Sequence, residues 1–176
     1  MKIGFTGTMS VGKTTLVNAL RELPEFSEYY FATERSKYLR DLGIPLNTDS
    51  TIKGQFIFLA ERASELLRDK VITDRTIIDV MAFTRLAESI PYYIGDEINQ
   101  AASCLISEYD YIFYISPKGV EIDDNGVRTT DAEYRKEVDK EIKSILNKYG
   151  HKNQRIIKLS GSVEERVQKV KQTLFP

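Results

Sequence analysis

The sequence predicts an α/β fold with a five-stranded parallel sheet layered between helices. Three observations carry this. Five short β-compatible stretches alternate with helical ones along 176 residues, the pattern of a parallel sheet with right-handed crossovers. The first stretch runs directly into Gly7-Thr8-Met9-Ser10-Val11-Gly12-Lys13-Thr14, which fits the phosphate-binding pattern G-x-x-x-x-G-K-[ST]. The third ends in Asp74-Arg75, placing charge where open α/β sheets bind ligands.

Lys2–Thr6 is the first strand, and Thr15 to Leu20 opens the helix behind the loop. Glycines at 7 and 12 let the loop curl so that its N–H groups and the positive end of the helix converge on phosphate oxygens. Lys13 then reaches the β- and γ-phosphates, and the Thr14 hydroxyl ligates Mg²⁺. The residues assigned to ATP are accordingly Gly7, Thr8, Met9, Ser10, Val11, Gly12, Lys13, Thr14 and Thr15.

After a break at Leu23-Pro24-Glu25, Tyr29–Thr33 is the second strand, ending in Glu34-Arg35. A short helix over Ser36–Leu42 stops at Gly43. Asp49 or Ser50 caps the next helix, which runs to about Lys70 with Phe56, Leu59, Ala63 and Leu66 near one face. Val71–Thr73 is the third strand, and Ile77–Glu88 is helical. Pro91–Gly95 is an aromatic loop, and a helix follows from Asp96 or Glu97 through Ile106. Tyr109–Ser116 is the clearest strand and stops at Pro117. Lys118–Thr130 is polar, with a lid expected over about 117–131. Asp131 caps a helix to about Tyr149, Arg155–Leu159 is the last strand, and Ser162 with Glu165 forms a capping box. The expected strand order is 2-3-1-4-5, with the phosphate-loop strand in the middle, in one domain over 1–176.

With 41% hydrophobic residues the chain can bury a core without disulfides. Twenty-five Lys and Arg against 26 Asp and Glu give a net charge of -1, so no global field draws it to nucleic acid or membrane. Cys104 is the single cysteine and the N-terminus shows no signal peptide, so the expectation is a soluble cytoplasmic protein. His151, the only histidine, reads as a solvated turn residue, which excludes histidine triads and zinc clusters. Oligomeric state is left open, a homodimer included.

Asp74 is followed by arginine where motor ATPases place a second carboxylate. No D-x-x-G follows the third strand, and Asn147-Lys148-Tyr149-Gly150 lacks the aspartate of N-K-x-D. Phosphoryl transfer to a small acceptor is what is left. On the phosphate loop, Glu34-Arg35, Asp74-Arg75, Asp124-Asn125-Gly126-Val127-Arg128, and Gly161 with Glu164-Glu165-Arg166, the chain resembles the P-loop nucleoside and nucleotide kinases. It is most similar to the group containing the nicotinamide riboside kinase domain, with deoxynucleoside kinases as near relatives.

The resemblance implies a P-loop NTPase fold with a lid, ATP and Mg²⁺ as cofactors, and a small nucleoside or nucleotide as acceptor. Glu34 is the candidate general base, with a surface glutamate as the alternative. Asp74 holds Mg²⁺, or caps a helix, or both. Arg75 steadies the base or a substrate phosphate, or only pairs with Glu34. Arg128 closes from the lid, or is a solvated loop residue. Arg135 pairs with Asp131 or Asp139 at i±4. Gly161 joins the ATP site. Gln55 and Arg62, seven apart, share a helix face; by resemblance Gln55 reads a base edge and Arg62 lies near sugar or phosphate. Arg35 and Arg75 complete the acceptor set, with Tyr92 or Tyr93 favoured over Phe56, Phe58 and Phe83 for stacking. Asp79 caps a helix or lines the cleft. Two other readings stay open: a kinase acting on nucleic acid, at a 5′ end or a hydroxymethylated base, and a non-catalytic ATP-sensing module.

Overall fold

The computed structural model describes residues 1–33, 35–118, 131–150 and 155–176. Five strands, β1 Lys2–Thr6, β2 Tyr30–Ala32, β3 Val71–Asp74, β4 Tyr111–Ile115 and β5 Ile156–Leu159, form one sheet. Every pairing is parallel and the order is β2-β3-β1-β4-β5, the expected P-loop NTPase arrangement. Among the described residues six helices connect the strands and a seventh follows β5: α1 Lys13–Arg21, α2 Ser36–Asp41, α3 Ile52–Glu65, α4 Ile77–Leu86, α5 Tyr92–Ser103, α6 Ala132–Gly150 and α7 Val163–Leu174.

Alternation along the strands divides the core in two, because successive side chains point to opposite faces. Phe113 and Ile115 join Ile3, Phe5 and Ile72 beneath α1 and α7, where Leu16, Val17, Leu20 and Val170 pack. Ile112 and Tyr114 face the other way, toward Ile78, Met81, Val138 and Ile142 of α4 and α6. Phe5 and Phe113 stack at 5.3 Å between ring centroids, within the range of favourable aromatic pairs. The sheet is therefore covered on both sides, in three layers.

Local chemistry sets the helix ends, sometimes differently from the expectation. Thr51, not Asp49 or Ser50, caps α3 by accepting from Gly54 N at 3.2 Å, because Asn47–Asp49 is itself a 3₁₀ turn. The helix stops at Glu65 rather than near Lys70. Of the expected apolar face, Leu66 is buried and Leu59 packs against the core, whereas Phe56 is 52% exposed, and the polar Gln55 and Arg62 are buried too. The side carrying Gln55 and Arg62 covers a cleft, so polar groups are buried there. Pro91–Gly95 is not a loop, since Pro91 caps α5 and Tyr92 to Gly95 are its first turn, a position that suits proline's fixed φ. The α5 helix ends at Ser103, before a 3₁₀ turn at Ile106–Glu108. Asp131 does cap α6, accepting from Glu133 N and Tyr134 N at 2.8 and 3.2 Å. The Ser162–Glu165 capping box forms as expected.

The register brings the functional ends together. Phe5 pairs with Asp74 and Ala32 with Thr73, so the loops after β1, β2 and β3 emerge at one carboxyl edge, where ligands bind in such sheets.

Candidate active site

The loop after β1 is held from both core layers and from two helices. Met9 is buried in the α4–α6 cluster and Val11 in the α1–α7 cluster, so the loop straddles the sheet edge. Gly7 has φ +150°, and a Cβ there would lie 2.6 Å from Ile115 O, so only glycine fits beside β4. Gly12, left-handed at φ 82°, starts α1. Lys13 is 6% exposed, and its Nζ donates to Gly7 O at 2.5 Å and Thr8 O at 2.7 Å. The loop thus wraps around its own cation. Thr15 is exposed on the first turn of α1.

Two arginines brace the outer side of this loop. Arg135 of α6 donates through Nε to Met9 O at 3.2 Å and through Nη2 to Ser10 O at 3.3 Å. Arg166 of α7 donates through Nη1 to Val11 O at 2.7 Å. Carbonyls occupied from outside leave the loop N–H groups to point inward, the orientation an anion requires. Burial presses the pKa of both guanidinium groups downward, with the Asp139 charge opposing this at Arg135. Beyond the expected pairing on its own helix, Arg135 thus holds the loop, and the Asp139 carboxylate near it also accepts from Tyr114 Oη at 2.7 Å and meets Lys143 Nζ at 2.5 Å. The readable signal for both arginines was position. Arg166 lies in register with buried Val170 and Leu174, and Arg135 borders the Val138–Ile142 stripe, where a charge without a structural partner is unfavourable.

Asp74 ties the loop to a second cavity. It is fully buried, and its Oδ2 accepts from Thr14 Oγ1 at 2.5 Å. Its main-chain oxygen accepts from Arg62 Nη1 at 3.4 Å. The next residue, Arg75, has φ 98°, a left-handed conformation that disfavours any residue with a Cβ and is characteristic of strained functional positions. Its N–H donates to Phe5 O at 3.1 Å.

Arg75 faces a cleft, open to solvent, between the loop and helices α2, α3 and α4. Met9, Arg35, Gln55, Arg62 and Asp79 also line it, with Phe58 and Phe83 among its apolar walls. The structure therefore gathers Arg35, Gln55, Arg62 and Arg75 as the sequence suggested. Tyr92 stands elsewhere, 82% exposed on α5, and is not among the lining residues. Asp79 both lines the cleft and caps α4, with Oδ2 accepting from Thr76 N at 2.8 Å. Thr84 Oγ1 lies 3.3 Å from the Gln55 amide oxygen and donates at 2.8 Å to Val80 O of its own helix. Arg75 sits over the Phe83 ring at 5.2 Å.

Carboxylates set behind the cleft hold the arginines. Arg62 Nη2 is 2.6 Å from Glu65 Oε1 and Arg35 Nη1 is 3.0 Å from Glu61 Oε1. Burial raises the Glu65 pKa to about 7 against the opposing attraction of Arg62. Glu61 at the same place repels a second negative charge.

Gly161 lies after β5 at φ 86°, where a Cβ would be 2.1 Å from Glu165 Oε2. Its place in the described structure is to leave room for the α7 capping box. Glu34, the candidate base, and Arg128, the candidate lid residue, lie outside the described residues, as do most of the 117–131 segment and His151. Among the described residues no group of three or more His, Cys, Asp or Glu could hold a metal, and no helix is long and apolar enough to cross a membrane.

Fold and loop together define a P-loop protein with a nucleoside-kinase-like architecture. A family model described as AAA domain matches residues 2–166, and the chain belongs to that family. Among solved structures, the NadR protein in complex with NAD and AMP-PNP superposes with a TM-score of 0.73 at 16% identity, over 97% of this chain and 48% of that one. Deoxyadenosine kinase from M. mycoides with products dCMP and dCDP bound superposes with a TM-score of 0.65 at 15% identity, over 99% and 98%. The same kinase with bound dATP gives 0.65 at 17% identity, over the full length of both. At these identities the likeness is one of fold, and the chain spans about half the length of NadR. No curated protein matches the sequence.

Proposed function

We propose that this chain is an ATP- and Mg²⁺-dependent phosphotransferase that moves the γ-phosphate to a hydroxyl or phosphate of a nucleoside, nucleotide or similar small molecule. The observation that carries the reading is Asp74. One buried residue joins the phosphate loop, through Thr14, to a separate cleft, through Arg62. A triphosphate-hydrolysing machine has no need of such a second chamber, whereas a transferase needs one within reach of the γ-phosphate. The kinase-like fold and the nucleotide complexes of its structural neighbours support the same direction.

The Thr14 hydroxyl and Asp74 carboxylate suit Mg²⁺, a hard cation that takes oxygen ligands and few protein carboxylates. When bound, Mg²⁺ neutralises charge on the β- and γ-phosphates. The chain's own groups do the rest. Loop N–H groups and Lys13 hold the donor, and Arg135 and Arg166 keep the loop in its binding shape. Gln55, Arg62 and Arg75 orient the acceptor. Glu34, the neighbour in sequence of cleft-lining Arg35, takes the proton of the attacking hydroxyl as the hydroxyl oxygen bonds to the γ-phosphorus and the bridging bond to ADP breaks. Arg128 approaches the transferred group from the lid.

The test is ADP release against a panel of nucleosides, nucleoside monophosphates, nicotinamide riboside and hydroxymethylated DNA. Acceptor-dependent release that is lost in Glu34→Gln at saturating acceptor is expected. Tight ATP binding with no acceptor-dependent release would favour the sensing module instead.

A further inference from the structure

Glu65 stands where the rules of a helix disfavour it. It is the last residue of α3, so its carboxylate lies at the negative end of the helix macrodipole. Its partner Arg62 precedes it by three positions, the less favourable order for a helical ion pair. Its side chain is 12% exposed, and Oε2 has no hydrogen-bond partner among the described residues. Burial accordingly raises the carboxyl to about 7, with the Glu61 charge adding to this and Arg62 and Arg35 opposing it. Glu61, one turn earlier on the same helix, differs. It meets Arg35, which is 47% exposed, as an ordinary pair at the surface does. The helix itself has no need of Glu65, so the reason for it lies in what Arg62 does.

Arg62 connects this carboxylate to the turn after β3. Nη2 donates to Glu65 Oε1 at 2.6 Å, and Nη1 donates to Asp74 O at 3.4 Å. That oxygen belongs to the same peptide unit as the Arg75 N–H, which donates to Phe5 O at 3.1 Å. One planar peptide is thus held at its N–H by β1 and at its C=O by α3. It is the peptide that leads into Arg75 at φ 98°, a conformation that a residue with a Cβ leaves unless its surroundings hold it there. The two residues it joins serve different places. Asp74 Oδ2 accepts from Thr14 Oγ1 in the loop, whereas Arg75 lines the cleft, over the Phe83 ring. Relaxation of φ at Arg75 would turn one side chain against the other.

We propose that Glu65 is a positioning residue: its carboxylate fixes Arg62, Arg62 clamps the Asp74–Arg75 peptide, and the clamp keeps Asp74 aimed at the loop while Arg75 is aimed at the cleft. On the transferase reading, on which this consequence rests, the donor and acceptor sides are held in one relation by a residue that does not itself line the cleft. The clamp is a property of the fold and exists whether or not a phosphate is transferred.

Native-state hydrogen exchange reads the clamp without turnover, because an N–H exchanges when its hydrogen bond opens. Exchange of the Arg75 N–H is measured by NMR against that of the Ile112 N–H, which donates to Arg155 O elsewhere in the sheet. In Glu65→Gln, which removes the charge at nearly the same size, the Arg75 N–H should exchange about tenfold faster relative to Ile112, as expected for loss of one charge-assisted contact. Glu61→Gln, on the same helix, should leave that ratio within about twofold. Arg62→Met combined with Glu65→Leu replaces the buried pair by apolar side chains, which commonly preserves or raises stability. The Arg75 ratio should still rise about tenfold there, even where urea unfolding shows no loss of stability. If Glu65→Gln proves unfolded by circular dichroism, the double variant decides. An Arg75 ratio within about twofold of wild type in the folded variants, or an equal rise in Glu61→Gln, overturns the proposal. In the ADP-release assay Glu65→Gln should lower kcat about tenfold with the KM for ATP within about twofold, and an unchanged kcat beside faster exchange overturns the positioning role. Absence of release with every acceptor in the wild type would instead remove the transferase reading and leave the exchange result to decide on the clamp.

Discussion

The phosphate loop and the arginine-lined cleft proposed for the acceptor share one edge of the sheet and are built in opposite ways. The loop is nine consecutive residues whose contacts are mostly main chain: Lys13 to Gly7 O and Thr8 O, Arg135 to Met9 O and Ser10 O, Arg166 to Val11 O. The cleft is made of side chains from α2, α3, α4 and the end of β3, and its shape depends on ion pairs set behind it. A ligand bound by backbone is recognised whatever the neighbouring side chains are, and phosphate is the group common to all nucleotides. A ligand bound by side chains is recognised by its own particular chemistry. Donor and acceptor differ in generality for that reason.

Variants that break the donor half should have the largest effects. Lys13→Ala removes the loop's central charge, and ADP release should fall by at least about a thousandfold, measured at saturating acceptor. Gly7→Ala forces a Cβ against Ile115 O at 2.6 Å in a left-handed conformation. Urea unfolding should show a loss of about 2–4 kcal/mol, and a loss below about 1 kcal/mol would mean that the loop yields more easily than its packing implies.

The acceptor half should respond to pH. Burial lifts the Glu65 carboxyl from 4.5 to about 7, ahead of the opposing pull of Arg62. A raised acid favours the folded state in its protonated form, so its contribution is complete below pH 4.5 and is lost as the pH rises through 7. Glutamine does not titrate. Glu65→Gln should therefore gain on the wild type by about 1–3 kcal/mol between pH 4.5 and pH 8 in chemical denaturation. A gap independent of pH would show that Glu65 is an ordinary paired carboxylate.

Smaller effects separate the halves. Arg166→Met removes an external brace of the loop and should weaken ATP binding about tenfold while leaving the acceptor KM within about twofold. A matching change in acceptor KM would show that the two chambers are not independent. Tyr92→Ser should alter acceptor KM by less than about twofold, since Tyr92 is 82% exposed on α5 away from the cleft lining.

What was readable in advance divides along the same line. The loop motif and the five strands follow from local pattern, the strand order from the fold that the motif implies, and each has its place in the structure. Gln55 and Arg62 were related correctly by their seven-residue spacing, while of the apolar stripe drawn on the same helix Leu59 and Leu66 reach the core and Phe56 does not. Periodicity assumes that the buried side of a helix is apolar, whereas α3 buries its polar side over a cavity. The aromatic run at Pro91–Gly95 looked like a loop because proline and glycine flank it, yet proline at a helix start is favourable. The bracing contacts of Arg135 and Arg166 were not readable because their partners are carbonyls more than 120 residues away in sequence.

By itself, then, the sequence determined the layered parallel sheet, the phosphate loop at its centre and the charged residues following β2 and β3, since each of these depends on neighbours within a few positions. Only the tertiary structure decided that Asp74 joins two chambers, that two distant arginines brace the loop, and that Arg35 and Arg62 line one cavity while their paired acids stand outside its lining. Burial, pairing and pKa belong to groups brought together from separate elements, and no stretch of sequence contains that arrangement.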